Sequence, residues 1–81
     1  MSYKIAFKKS VSRDLKKIDK EQAKRILNRI DDELISNADK QPLLSGKFAG
    51  LRKFRVGEYR IIYTIIENTV LVLRISHRRE A

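Results

Sequence analysis

Apolar residues alternate with polar ones at the start of the chain and then recur at helical spacing. Residues 3–7 alternate and predict a short strand with one buried face. Apolar residues next recur every three or four positions over residues 11–18, which predicts a first helix. Ser10 or Ser12 is placed to cap the N-terminus of this helix. The chain is therefore expected to begin with a β-α unit.

A second helix is predicted from Asp19, which stands three residues before Gln22, the spacing of a capping box. The pattern fades at Ser36–Asn37. The very short turn between the two helices predicts an antiparallel helical hairpin. Residues 38–50 hold the only proline and two of the three glycines, and we expect them to form a connecting segment. One apolar stripe runs along the second helix: Ala23, Ile26, Leu27, Ile30 and Leu34.

From residue 51 onward the period becomes that of β-strands. Three strands are predicted at residues 51–56, 59–66 and 69–76, joined by short turns at Gly57–Glu58 and Glu67–Asn68. Strands joined by such short turns form an antiparallel meander.

The alternation also predicts which side chains share a face of the sheet. Phe54 and Val56 fall on one face of their strand, and Lys53 and Arg55 fall on the other. In the last strand, one face is predicted to carry Leu71, Leu73 and Ile75, and the other Val70, Val72 and Arg74.

The order β-α-α-β-β-β predicts a single α+β domain over residues 1–81, with an antiparallel sheet packed against a two-helix hairpin. The first strand is expected to join the edge of the meander. The chain has no cysteine, so disulfide bonds are excluded as a source of stability. Because no signal sequence and no long apolar segment is present, we expect a cytoplasmic protein that does not enter the membrane.

Positive charge is the strongest feature of the composition. The formal net charge is +9, and residues 47–81 carry eight basic residues, six of them arginines, against three acids. The arginine fork matches the geometry of phosphate. The charge predicts an acidic partner, which is a nucleic acid, an anionic membrane or an acidic protein. A basic surface that is merely solvated is the alternative.

The residues available for chemistry are few. With one histidine, His77, and no cysteine or glycine-rich loop, the sequence offers no metal site, nucleophile triad or phosphate loop. What remains is a cluster of cations on adjacent strands, Lys53, Arg55 and Arg60, followed by the pair Arg78–Arg79. Such cations suit RNA cleavage by the 2′-hydroxyl, because they stabilise the charge that develops on the phosphate. His77 is either an acid or base in this reaction or a strand-end residue without a role.

Two motifs stand out in the C-terminal half: the pattern R-V-G-x-Y-R-x-x-Y at residues 55–63 and H-R-R-E at residues 77–80. Both resemble the RelE toxins of the RelE/ParE superfamily of prokaryotic toxin–antitoxin pairs. The resemblance implies a β-α-α-β-β-β toxin that binds an acidic, RelB-like antitoxin. It also implies an endoribonuclease without metal or cofactor that cleaves mRNA in the A site of the ribosome and inhibits translation. The ParE branch implies the alternative, a DNA gyrase inhibitor without nuclease activity.

The resemblance assigns roles to individual residues by their position in these motifs. Lys53 and Arg55 match the basic strand residues of the family, and Arg60 matches the arginine that holds the scissile phosphate. The C-terminal arginine of the family corresponds to Arg78 or Arg79. The predicted catalytic residues are Lys53, Arg55, Arg60, His77 and Arg78, and the predicted RNA-binding residues are Lys47, Arg52 and Arg79.

The chain departs from the family pattern at its C-terminal end. Members of the family usually continue past the matching glutamate with a segment that contains a tyrosine, whereas this sequence ends at Ala81. Three expectations follow. Catalysis depends on His77 and the cations, or the activity is reduced, or the chain is a truncated homologue that only binds its antitoxin.

Overall fold

The computed structural model describes residues 3–44, 46, 50–77 and 79, and within them the predicted order of elements is confirmed. No helix in this part of the chain is long and apolar enough to cross a membrane. The second helix continues past its regular part through a π-helical turn, a short α-helical turn and a 3-10 turn, at Ile30–Leu34, Ile35–Asn37 and Ala38–Lys40. The main elements are β1 (Lys4–Phe7), α1 (Lys9–Lys16), α2 (Lys20–Arg29), β2 (Arg52–Val56), β3 (Tyr59–Ile66) and β4 (Thr69–His77).

The four strands form one sheet in the order β1-β4-β3-β2. The pairs β2–β3 and β3–β4 are antiparallel, as predicted, and β1 joins the edge of the meander beside β4. The sheet is mixed rather than wholly antiparallel, because β1 runs parallel to β4. β1 and β2 therefore point the same way at opposite edges, and the helical hairpin is the crossover that such a connection requires.

β4 contains a bulge that its sequence pattern does not reveal. Tyr63 pairs with Val72, but the preceding residue, Ile62, pairs with Arg74. Leu73 is therefore an extra residue in β4. An extra residue breaks the alternation of side chains between the two faces of a strand.

The bulge overturns the predicted faces of β4. Val70 and Val72 are fully buried, and Ile75, on the far side of the bulge, is 3% exposed. All three therefore face the helices. The prediction that grouped Leu71, Leu73 and Ile75 on one face and Val70, Val72 and Arg74 on the other is wrong for this reason.

The core lies between the helical hairpin and one face of the sheet. The predicted stripe of the second helix is confirmed, since Ile26 in α2 and Ile30 and Leu34 in the π-helical turn are at most 1% exposed. The faces predicted for β2 are also confirmed, since Phe54 and Val56 are buried. The remaining buried residues are Val11, Ala38, Ile61, Tyr63, Val70, Val72 and Ile75.

Neither predicted helix cap forms as expected. Lys8, rather than Ser10 or Ser12, stands at the N-cap position of α1. Asp19 does stand at the N-cap of α2, but its side chain makes no capping hydrogen bond. The Ser10 hydroxyl instead donates to the carbonyl oxygen of Leu73 at 3.2 Å, so it contacts the bulge of β4.

The buried phenol of Tyr63 gives a first prediction about stability. Its hydroxyl donates to the carbonyl oxygen of Ala38, and burial raises the pKa of Tyr63 to about 12. At neutral pH, Tyr63→Phe should lower the free energy of unfolding by about 1 kcal/mol, because the Ala38 carbonyl loses its donor. A tyrosine in the unfolded chain titrates near pH 10. The stabilisation by Tyr63 is therefore complete below about pH 10 and is lost as the pH rises towards about 12.

Urea unfolding of both proteins across this alkaline range measures the effect. The stability of wild type relative to Tyr63→Phe should fall as the pH rises through the range. A difference in stability that stays constant up to about pH 12 would contradict the assignment. Lysine titration is common to both proteins and cancels in the comparison.

Candidate nucleic-acid interface

The face of the sheet turned away from the helices carries a group of basic residues, and we call this side the open face. Phe54 and Val56 point into the core, so Lys53 and Arg55, which alternate with them along β2, lie on the open face. Arg60 pairs directly with Arg55 and shares its side. The structure thus brings together the three basic strand residues predicted from the sequence, Lys53, Arg55 and Arg60, and we call them the open-face cations.

The register sets these cations side by side. Arg55 and Arg60 are directly opposite each other, and like charges in that arrangement destabilise a sheet by up to about 1 kcal/mol. In the described part of the chain, the ion pairs are Arg29–Glu33 and His77–Glu58, and no acid pairs with an open-face cation. The open face therefore holds positive charge that the described residues do not compensate.

Arg60 has a further feature that favours an anion. Its Nε atom is shielded from solvent and has no hydrogen-bond partner among the described residues. Nε of Arg29 is also unpartnered there, but the Arg29 guanidinium binds Glu33 at 2.6 Å and stacks over Phe54. An unsatisfied buried donor costs about 1–3 kcal/mol. A phosphate oxygen would remove that cost at Arg60 once the side chain turns outward, because Nε is covered in the free protein.

Arg74 joins this surface, although the sequence pattern did not select it. The bulge pairs Arg74 with Ile62, which in turn pairs with Lys53. These three residues form a row next to the row of Arg55, Arg60 and Ser76. Alternation along β4 gave no sign of this, because the position of a bulge is not encoded in the alternation itself.

His77 lies away from the open-face cations, on the helix side of the sheet. It pairs with Tyr59 at the end of β4, and the two rings meet edge to face with centroids 5.1 Å apart. Its Nε2 atom is 3.0 Å from a carboxylate oxygen of Glu58, and its Nδ1 atom accepts the Arg79 N–H at 3.1 Å. A ring protonated at Nε2 satisfies both contacts. The structure therefore does not bring His77 together with the cations of its predicted site.

The predicted RNA-binding residues are also not gathered in one place. Arg52 shares the helix side with Tyr63, and its Nη1 atom donates to the Gln41 carbonyl oxygen at 2.7 Å, which fastens the connecting segment. Arg79 follows β4 and is exposed. The predicted residues Lys47 and Arg78 lie outside the described residues.

Comparison with protein families identifies the kind of domain. The family model described as the ParE toxin of the type II toxin–antitoxin system parDE matches residues 5–81. No curated protein sequence matches the chain.

Solved structures match the whole fold. The toxin–antitoxin complex RelBE2 from Mycobacterium tuberculosis is 27% identical, covers 96% of this chain and 100% of that chain, and has a TM-score of 0.89. The RelB–RelE complex from Methanococcus jannaschii is also 27% identical, with coverage of 93% and 92% and a TM-score of 0.70. The ParDE system from P. aeruginosa, 14% identical with coverage of 94% and 96% and a TM-score of 0.73, shares the fold. The chain therefore belongs to the ParE toxin family of type II toxin–antitoxin systems, within the RelE/ParE superfamily.

Proposed function

We propose that this toxin is a ribosome-dependent endoribonuclease that binds the scissile phosphate of mRNA on its open face. The observation that carries the proposal is the pairing of Arg55 with Arg60, whose Nε has no partner among the described residues. Two uncompensated guanidinium groups on one rigid hairpin suit a phosphate in the transition state, which carries more negative charge than in the ground state. The 27% sequence identity to two complexes whose names describe RelE-type toxins also supports the RelE branch of the superfamily.

The proposed reaction breaks one bond and forms one bond at phosphorus. The 2′-oxygen attacks the phosphorus, the bond to the 5′-oxygen breaks, and the products are a cyclic 2′,3′-phosphate and a 5′-hydroxyl. Arg55 and Arg60 stabilise the charge on the phosphate oxygens. The 2′-hydroxyl gives its proton to a water molecule, and Lys53 adds the charge of its ammonium group to the phosphate site. The 5′-oxygen takes up a proton from water.

The proposal includes two kinds of partner in the cytoplasm. The ribosome supplies the mRNA in the A site, and a RelB-like antitoxin neutralises the toxin. Since the toxin carries a net charge of +9, its antitoxin should be acidic and partly disordered, and should fold as it binds. Binding between such opposite charges weakens as the salt concentration rises.

Inhibition of DNA gyrase is the second candidate function. The observation that favours gyrase inhibition is the match to the family model, because that model is described as the ParE toxin of the parDE system. In this case the protein acts by binding another protein, and the open-face cations contact an acidic surface rather than a scissile phosphate.

Induction of the toxin in growing bacteria separates the two functions. We expect incorporation of labelled amino acid to fall before that of labelled thymidine, because mRNA is cut while ribosomes translate it. Purified toxin should also cut mRNA at the A-site codon of a programmed ribosome. Arg13→Ala, an exposed α1 variant with the same change of charge as an open-face arginine variant, serves as the control and should act as wild type. A prompt stop in DNA synthesis with continued translation and intact mRNA would favour gyrase inhibition.

A further inference from the structure

The second half of β4 lacks a strand partner on one of its two edges. β1 pairs with residues 69–72 and ends at Phe7, so in the described part of the chain no strand continues along this edge. Helix α1 lies there instead. The N–H of Lys8, just before α1, donates to the Val72 carbonyl oxygen at 2.9 Å, where the strand pairing stops.

Two side chains of α1 then bind the backbone of the bulge. The Ser10 hydroxyl donates to the Leu73 carbonyl oxygen at 3.2 Å. The N–H of Ile75 donates to Oδ2 of Asp14 at 3.0 Å. These contacts occupy the carbonyl of the extra residue, Leu73, and the N–H of Ile75 two residues later, where β1 no longer offers partners. Hydrogen bonds to an ionised carboxylate are among the stronger ones in proteins, so Asp14 makes the stronger of the two contacts.

We infer that Asp14, assisted by Ser10, is a positioning residue that fixes the β4 bulge and thereby the composition of the open face. With the bulge in place, Ser76 lies opposite Arg60 and Ile75 lies in the core. A strand without the bulge would turn Ile75 to the open face and Ser76 to the helices, because a slip of one residue exchanges the two faces. The effect on cleavage rests on the proposed function, whereas the effect on strand register does not.

A pair of thiols measures the register directly. The chain has no cysteine, so Arg60→Cys with Ser76→Cys introduces the only two thiols, on residues that pair directly. Directly paired antiparallel residues have Cα separations that a disulfide can span. Thr64→Cys with Leu71→Cys is the matched control, because that pair lies on the other side of the bulge. The equilibrium for disulfide formation against glutathione gives an effective concentration for each pair.

Two substitutions at Asp14 separate the hydrogen bond from the charge. Asp14→Ala removes the acceptor and should lower the effective concentration of the 60/76 thiol pair about 10-fold, while the 64/71 pair is unchanged. Exchange of the Ile75 amide hydrogen should accelerate by a similar factor. Asp14→Asn keeps an acceptor oxygen but loses the charge, and should lie between wild type and Asp14→Ala in both measurements. Ser10→Ala should have an effect of the same kind but smaller.

Cleavage kinetics distinguish a role in positioning from a simple effect of charge. Loss of an acid from a protein of net charge +9 should by itself tighten RNA binding. We expect Asp14→Ala to lower kcat about 10-fold without raising KM, and Asp14→Asn to restore part of kcat. Equal losses in both thiol pairs, an unchanged 60/76 pair, or an Asp14→Asn as impaired as Asp14→Ala would overturn the inference. If the wild-type toxin does not cleave RNA, the proposed function fails, and the thiol pairs still decide the role of Asp14.

Discussion

Arg60→Ala is expected to slow mRNA cleavage on programmed ribosomes by about 100-fold to 1,000-fold, the usual cost of removing one donor to the charge of a transition state. Arg60 is the open-face cation that combines a charge with an unpartnered Nε, so no other open-face cation replaces it. Single-turnover rates at saturating toxin measure this loss. Growth arrest upon induction should be relieved to the same extent.

The control variants identify which property of Arg60 matters. Arg60→Lys keeps the charge but loses the fork, and should retain an intermediate rate because lysine binds phosphate as a point charge. Arg13→Ala removes the same charge from the exposed surface of α1 and should cleave as wild type. Cleavage by Arg60→Ala at the wild-type rate would remove Arg60 from the reaction. Undiminished toxicity together with an absence of cleavage would instead favour gyrase inhibition.

Arg60→Ala should change the free energy of unfolding only slightly, although it slows cleavage strongly. Arg60 faces Arg55 across the hairpin, and relief of that repulsion offsets the packing lost with the side chain. We expect the free energy of unfolding of Arg60→Ala, measured in urea, to lie within about 1 kcal/mol of wild type. A pair that destabilises the free protein and yet serves the reaction is the pattern expected of a functional site.

Much of the fold was predictable because periodicity decides it. The stripe of Ile26, Ile30 and Leu34 persists through the π-helical turn, and alternation in the regular strand β2 placed Phe54 and Val56 in the core. The alternation failed in β4, where one extra residue exchanges the faces. What holds the bulge is a helix distant in sequence, and no local pattern in β4 records that contact.

The candidate site was predictable to the same degree. A two-residue turn at Gly57–Glu58 fixes the register of its hairpin, so the proximity of Arg55 and Arg60 followed from the sequence. The face of His77 depends on the bulge upstream of it, and so does the place of Arg74. His77 therefore faces the helices, away from its predicted site, and Arg74, which the sequence pattern did not select, lies on the open face. Arg52 also lies outside the predicted site, because its side chain donates to the Gln41 carbonyl oxygen on the helix side.

Ile61 and Ile62 are neighbouring isoleucines on opposite faces of the sheet, so truncation of each one tests the division between the two faces. Ile61→Ala is expected to lower the free energy of unfolding by about 2–5 kcal/mol, because Ile61 is fully buried and its truncation leaves a cavity. A domain of this size is held by only about 3–5 kcal/mol, so much of that variant should be unfolded at physiological temperature. Activity per folded molecule should remain that of wild type.

Ile62→Ala should show the opposite profile. Ile62 pairs with Lys53 and Arg74 on the open face and is only partly buried, so its truncation should cost less than about 1 kcal/mol of stability. Since RNA on the open face would cover this side chain, the KM for RNA should rise severalfold with little change in kcat. Urea unfolding and cleavage kinetics of both variants measure the contrast. A large loss of stability in Ile62→Ala would contradict the division between the two faces of the sheet. An unchanged KM would mean that RNA does not cover this part of the open face, so that only the hairpin end with Arg55 and Arg60 contacts it.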